Sequence, residues 1–159
     1  DKEGLFRAVL ERAIEGVSSR AFEVLRSTGD VPALCRTFVE TLVDAIAENQ
    51  NLALILHFAS LDEGSPAYSV CEDIGFRIVQ PLLAATTEAI RSGQKTGSIR
   101  ADIDARRILT TGIGAVAFIY HADRLFKGIF QEDVRHKDTV QAHKDATVTM
   151  LLEGIVVKG

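Results

Sequence analysis

Apolar residues recur along this chain at three- and four-residue steps rather than in alternation, which is the spacing of one face of an α-helix. From about Lys2 to Leu25, Phe6, Val9, Leu10, Ala13, Ile14, Val17, Ala21 and Val24 share a stripe, with Arg12, Glu15, Ser19, Glu23 and Arg26 on the other side. Thr28-Gly29-Asp30 ends this helix. Asp30 caps a second one, with Pro32 in its first turn, where a missing N–H costs little. Leu34, Phe38, Leu42 and Ile46 form the second stripe, and a short, mostly apolar third helix follows from about Leu52 to Leu61. Ser65-Pro66 opens a long fourth helix that reaches about Ser92. Cys71, Ile74, Ile78, Leu82, Ala85 and Ala89 make one seam along it, and Phe76, Val79, Leu83 and Ile90 a second. Pro81 predicts a kink there, because it removes one hydrogen bond and crowds the carbonyl four residues back. Gly93 is the expected terminator. Residues 94–104 form a polar connection with one apolar peg, Ile99. Asp102 or Asp104 caps a fifth helix from about Ala105 to Phe126, and a sixth runs from about Asp138 to Val156. With three prolines and few alternating β-branched runs, no sheet is expected. The expected fold is all-α, a six-helix bundle forming one domain over residues 1–159.

The last two helices carry more apolar surface than one bundle face needs. Ile108, Leu109, Gly112, Val116, Ile119 and Phe126 lie on one side of the fifth, and Gly114, Phe118, Ala122 and Leu125 on another. From Ile108 to Ala122 no side chain is formally charged, with His121 taken as neutral. A helix apolar nearly all round must be covered all round. The sixth has a core stripe, Val140, Val148, Leu151, Leu152 and Ile155, and a second face of His143, Ala146, Thr147, Met150 and Gly154. Two such helices from each of two copies make a four-helix interface about a twofold axis. The expected dimer contacts are Gly114, Phe118, His121, Ala122, Leu125, His143, Ala146, Thr147, Met150 and Gly154. Gly112 and Gly114 each cost about 1 kcal/mol of helix propensity relative to Ala. That cost is tolerated where a Cβ would meet a partner helix or a ligand, or where the glycines fit between helices of one subunit.

Composition narrows the function. Hydrophobic residues make up 47% and charged residues 25% of the 159 positions, an ordinary globular balance. The net charge of -4 gives no reason to expect these residues to grip a phosphate backbone. Cys35 and Cys71 form no CxxC pair and read as small apolar core residues. No signal peptide is visible, so a reducing cytoplasm is the expected compartment. The longest uncharged stretch is too short for a bilayer, which takes about 20 apolar residues.

KEGLFRAVLERAIEG, at Lys2–Gly16, resembles the first helix of the regulatory domain in TetR-type transcriptional regulators, where it follows a helix-turn-helix module. Asp1-Lys2-Glu3-Gly4-Leu5-Phe6 is similar to the sequence that follows that module. IRSGQKTGSIRADIDARRI, at Ile90–Ile108, resembles the family's link between its long pocket helix and its first dimerisation helix. LLEGI, at Leu151–Ile155, suits the final helix. The resemblance covers the whole chain in helix order, lengths and breaks. The DNA-binding module itself has no counterpart in these residues, so operator contact is expected only through a head preceding Asp1. The family implies a homodimer whose recognition helices enter successive major grooves about 34 Å apart. It also implies a small hydrophobic or amphipathic effector that alters DNA binding, with repression the expected outcome. The first helix would couple pocket to head, since a ligand shifts an equilibrium only by binding its two states unequally.

The effector pocket is expected among the second, third, fourth and fifth helices. Its candidate lining is Phe38, Leu42, His57, Phe58, Ile74, Ile78, Ile113, Ala117 and Tyr120, mostly apolar with few polar groups, as small-molecule sites usually are. Catalysis and cofactor binding are not expected. No HExxH, ExxH or cysteine cluster supplies a metal site, and His136 and His143 with Asp133 or Asp138 form only a weak candidate. Gly112-Ile113-Gly114 is mid-helix and lacks the rest of a dinucleotide fingerprint, and no GxSxG elbow occurs. Arg100, Arg106 and Arg107 read as helix-entry surface charges. The alternative from another class is an all-helical dimeric interaction adaptor with a filled core and no ligand. A helical-bundle enzyme would need convergent titratable side chains in a cavity.

Overall fold

Six helical rods form the molecule, two of them interrupted. The computed structural model describes residues 1–27 and 30–157, with all of their side chains except those of Gln50, Ala53, Leu54, His57 and Ser60. Thr28 and Gly29, the expected stop after the first helix, lie outside the described residues. The helices are α1 (Lys2–Arg26), α2 (Val31–Glu48), α3 (Gln50–Ser60), α4 (Pro66–Ile74), α5 (Gln80–Thr96), α6 (Ala105–His121), α7 (Asp123–Ile129) and α8 (Lys137–Ile155). Helices α4 and α5 are joined by a π-helical turn, Gly75–Val79, and together make the expected long fourth helix. Helices α6 and α7 make the expected fifth, broken at Ala122. After the break the Asp123 carboxylate accepts the Arg124 N–H at 2.6 Å, a local bond that competes with continuous helix.

Side-chain caps set the helix starts. The Asp30 carboxylate accepts the Ala33 N–H at 2.7 Å, and the Ser65 hydroxyl accepts the Tyr68 N–H at 3.1 Å. Of the two candidates at α6, Asp104 is the cap, accepting from Arg106 and Arg107 N–H at 3.0 and 3.3 Å. Asp102 instead binds the Arg100 guanidinium with both oxygens, at 2.6 and 2.5 Å.

The π turn explains where the fourth helix departs from its sequence pattern. Proline lacks an N–H and its ring crowds the preceding turn. Here the wider turn sits immediately before Pro81, and its extra residue rotates everything after it relative to an uninterrupted helix. Before the turn Val70 and Ile74 are buried; after it the buried line is Leu82, Thr86, Ile90 and Gly93. The two continuous seams expected from the sequence therefore break at the turn, and Phe76 is left 62% exposed.

Gly93 is not the terminator. The helix continues to Thr96, and Gly97 ends it at φ 79°, a left-handed conformation that favours glycine. Gly93 serves close packing: a Cβ there would lie 2.6 Å from Ile99 Cγ1 and 2.8 Å from Val31 Cγ1. Ile99 is the buried peg expected of the connection, 1% exposed. Around it the connection clips the end of α8. Arg100 N–H donates to the Ile155 carbonyl at 2.8 Å, Val157 N–H to Ser98 at 3.2 Å, and the Arg100 side chain to the Gly154 carbonyl at 3.0 Å. Arg100 is thus more than a surface charge.

Among the described residues the buried core falls into three clusters. One cluster packs Ala21, Phe38, Leu82, Ile90, Ile99, Ala105, Ile108 and Leu109. Another packs Leu10, Ile14, Val70 and Ile74. A third holds Ile119, Tyr120 and Val134. On α1 the buried line is Leu10, Ile14, Ser18 and Ala21, while Val9 at the edge of the expected stripe is 56% exposed.

Ion pairs fasten α1 to α4 and the π turn. Arg7 donates to Asp73 at 2.6 Å, Arg77 donates to Asp73 at 3.2 Å, and Arg77 also pairs with Glu11. The hydrogen bond from Arg7 leads the causes that hold the Asp73 carboxyl below its usual 3.8. A depressed carboxylate stabilises the fold above its unfolded pKa, and that contribution is lost as pH falls through the folded value. An NMR titration of Asp73 is expected to show a midpoint below 3.8, moving up toward that value in Arg7→Ala.

Candidate functional site

Four helices line an apolar cavity. Leu34, Cys35, Phe38 and Leu42 come from α2, and Thr86, Ala89 and Ile90 from α5. Leu109, Gly112, Ile113 and Val116 come from α6, and Leu151, Leu152 and Ile155 from α8. The void is about 50 Å³. Nothing polar is offered to it. The Thr86 hydroxyl donates to the Leu82 carbonyl at 2.8 Å, and burial pushes the Cys35 thiol up to about 11, so it stays protonated and unreactive. Cys35 therefore behaves as the apolar residue its sequence context indicates. Cys71 packs instead against the cluster of Leu10 and Ile74.

The expected lining separates into groups. Phe38, Leu42 and Ile113 are on the cavity wall. Ala117 is half-buried beside Val116, and Tyr120 lies one turn further along α6, 2% exposed. Ile74 is fully buried in a different cluster, with Leu10 and Ile14 of α1, and Ile78 packs against that cluster. Phe58 is 67% exposed, on an open groove with Phe6, Asn51 and Ile55. The His57 side chain lies outside the described residues. Among the described residues α3 contributes none to the wall, and α8 contributes Leu151, Leu152 and Ile155. The signal for this was present in the sequence: Leu151, Leu152 and Ile155 form one apolar stripe, which reads equally as core or cavity wall.

Gly112 and Gly114 are not required by packing within the protomer. A Cβ on Gly112 would sit 3.5 Å from Leu151 Cδ1, an ordinary contact, and one on Gly114 would meet nothing within 4 Å. Gly112→Ala should therefore gain about 1 kcal/mol of helix propensity. Thermal unfolding should then move up by about 2–4 °C, while the added methyl narrows the cavity. Both effects are read from melts with and without an apolar ligand.

The outer face of α6, α7 and α8 is greasy. Phe118 is 60% exposed, Leu125 55%, Ile129 and Phe130 62%, and Met150 77%. Phe118, Phe126 and Phe130 form a chain of ring contacts, with centroids 6.1 and 5.4 Å apart. Gly114, Ala146 and Gly154 are exposed on the same helices, and Ala122 is half-buried. His121 is exposed, its Nδ1 2.9 Å from the Ala117 carbonyl. Two expected contacts turn inward. Thr147 is buried, 5% exposed. His143 is half-buried, with Nε2 3.3 Å from the Val116 carbonyl and its ring edge-on to Tyr120. Their positions on α8 border the core stripe, so the boundary between the faces falls one residue away from its expected place.

His136 and His143 have separate surroundings: the Asp138 N–H donates to His136 Nδ1 at 3.4 Å, far from the Val116 contact of His143. Among the described residues no three histidine, cysteine or acidic side chains gather as metal ligands. Nor is any described helix long and apolar enough to cross a membrane.

The molecule is an all-helical bundle with an apolar cavity between α2, α5, α6 and α8 and an apolar outer face on its last helices. Residues 33–151 match the family model described as "Tetracyclin repressor-like, C-terminal domain". The chain belongs to that family of TetR-type regulatory domains. No curated protein matches it.

Proposed function

We propose that this chain is the effector-binding and dimerisation part of a one-component transcriptional regulator, a cytoplasmic repressor in which a small hydrophobic effector alters DNA binding by a helix-turn-helix head preceding α1. The observation that carries this reading is the wholly apolar cavity between α2, α5, α6 and α8. Its 50 Å³ void is well short of the roughly 300 Å³ or more of a drug-sized site, so the effector widens it on entry. Widening separates α2 from α8, helices tied at their other end by Lys144 and Asp44 at 2.5 Å. Helix α1 packs on α2, α4, α5 and the π turn, so a displaced α2 or α5 is felt along the lever.

A homodimer through the exposed face of α6, α7 and α8 completes this reading, with Gly114, Phe118, Leu125, Ala146, Met150 and Gly154 at its centre. Mass spectrometry of small molecules that co-purify with the protein tests the effector assignment, followed by thermal unfolding across a library of hydrophobic compounds. A ligand at about 100 times its dissociation constant should add about 2.7 kcal/mol. If no compound stabilises the protein, the ligand-free adaptor becomes the better account.

A further inference from the structure

The cavity wall offers no polar group by which a ligand could be oriented, yet a buried phenol stands on the helical turn of α6 that follows the wall residue Val116. Tyr120 is 2% exposed, and its hydroxyl is the one buried side-chain nitrogen or oxygen among the described residues that lacks a hydrogen-bond partner. Buried polar groups are almost always paired, and an orphan is a lasting cost to the folded state. Val116, one helical turn earlier, and Leu42 on α2 line the cavity. The next layer is Tyr120 with Ile46, one turn beyond Leu42. Side chains on a helix lean toward its N-terminus, which carries the phenol back toward the Val116 level. The ring meets the edge of His143, 6.3 Å away between centroids.

We propose that the Tyr120 hydroxyl is the polar anchor of the effector site, donating a hydrogen bond to a neutral oxygen acceptor, a ketone or ester carbonyl, at one end of an otherwise apolar ligand. This rests on the reading of the cavity as an effector site. The neutral class follows from the surrounding charges. Burial and the negative charge of Asp44 both raise the phenol, so Tyr120 stays a donor. The nearby cation, Lys144, is already held by Asp44 at 2.5 Å. An anionic headgroup would approach the Asp44 carboxylate, whose charge already acts on the phenol.

The test uses 2-octanone, octane and octanoate as probes, with wild type and Tyr120→Phe, read by titration calorimetry and by the carbonyl stretch of bound 2-octanone. Tyr120→Phe should weaken 2-octanone about tenfold and leave octane unchanged. The carbonyl stretch should move to lower frequency in wild type and lose that displacement in the variant. Free Tyr120→Phe should melt no lower than wild type, because no bond is lost. Equal binding of 2-octanone to both proteins, with equal carbonyl frequencies, would overturn the anchor and leave the cavity reading standing. Octanoate binding wild type as tightly as 2-octanone would overturn the neutral class. A variant that melts well below wild type would show that the hydroxyl is already paired. Failure of all three probes to bind wild type would remove the cavity reading, and the anchor with it.

Discussion

Ile74→Ala is expected to destabilise the protein by about 2–5 kcal/mol, the usual cost of cutting a fully buried isoleucine to alanine. Ile74 has no exposed surface and sits in the cluster that joins α1 to α4. Its removal leaves a void among Leu10, Ile14 and Val70 that rigid helices fill only in part. Phe76, two residues on, is the control. It is the larger side chain and belongs to an equally apolar stripe in the sequence, but it is 62% exposed at the π turn. Phe76→Ala should stay within about 0.5 kcal/mol of wild type. Urea unfolding of the two variants measures the difference. Equal losses would mean that the fourth helix runs through without the wider turn.

Phe118→Glu combined with Met150→Glu is expected to convert the proposed dimer of 17.3 kDa chains into single copies. Both side chains are more than half exposed on the apolar face, so neither supports the protomer core. In a twofold interface each substitution occurs twice. A central contact is worth about 2 kcal/mol or more, about 30-fold in dissociation constant. The pair should thus weaken association by at least about a thousandfold. Sedimentation at micromolar concentration reads the mass, and circular dichroism should show the helices intact. An unchanged mass would place the interface elsewhere.

Much of the fold was legible in the chain because helix periodicity and caps are local signals. Asp30, Pro32, Ser65 and Ile99 do what their sequence context predicts. Phase along the fourth helix was not legible. A single extra residue in a turn changes which side of everything downstream is buried, and only tertiary packing fixes where it goes. Ile74 and Ile78 pack toward α1 instead of the cavity, while Phe38, Leu42 and Ile113 line it. Gly93 and Gly97 show a second limit. Both suit a helix end by residue type, and the choice between them depends on Val31 and Ile99 closing around Gly93, contacts from distant parts of the chain. On α8 the sequence gives two apolar faces, but whether Leu151 and Leu152 fill a core or line a void depends on the volume left by α2, a property of the assembled bundle.

The most direct test of the cavity is diffraction from xenon-pressurised crystals. Xenon enters dry apolar voids and avoids polar or filled ones. The account predicts one strong site among Phe38, Leu109 and Leu152, weakened in Gly112→Ala. Xenon-free density there, with the surrounding side chains closed into contact, would contradict it.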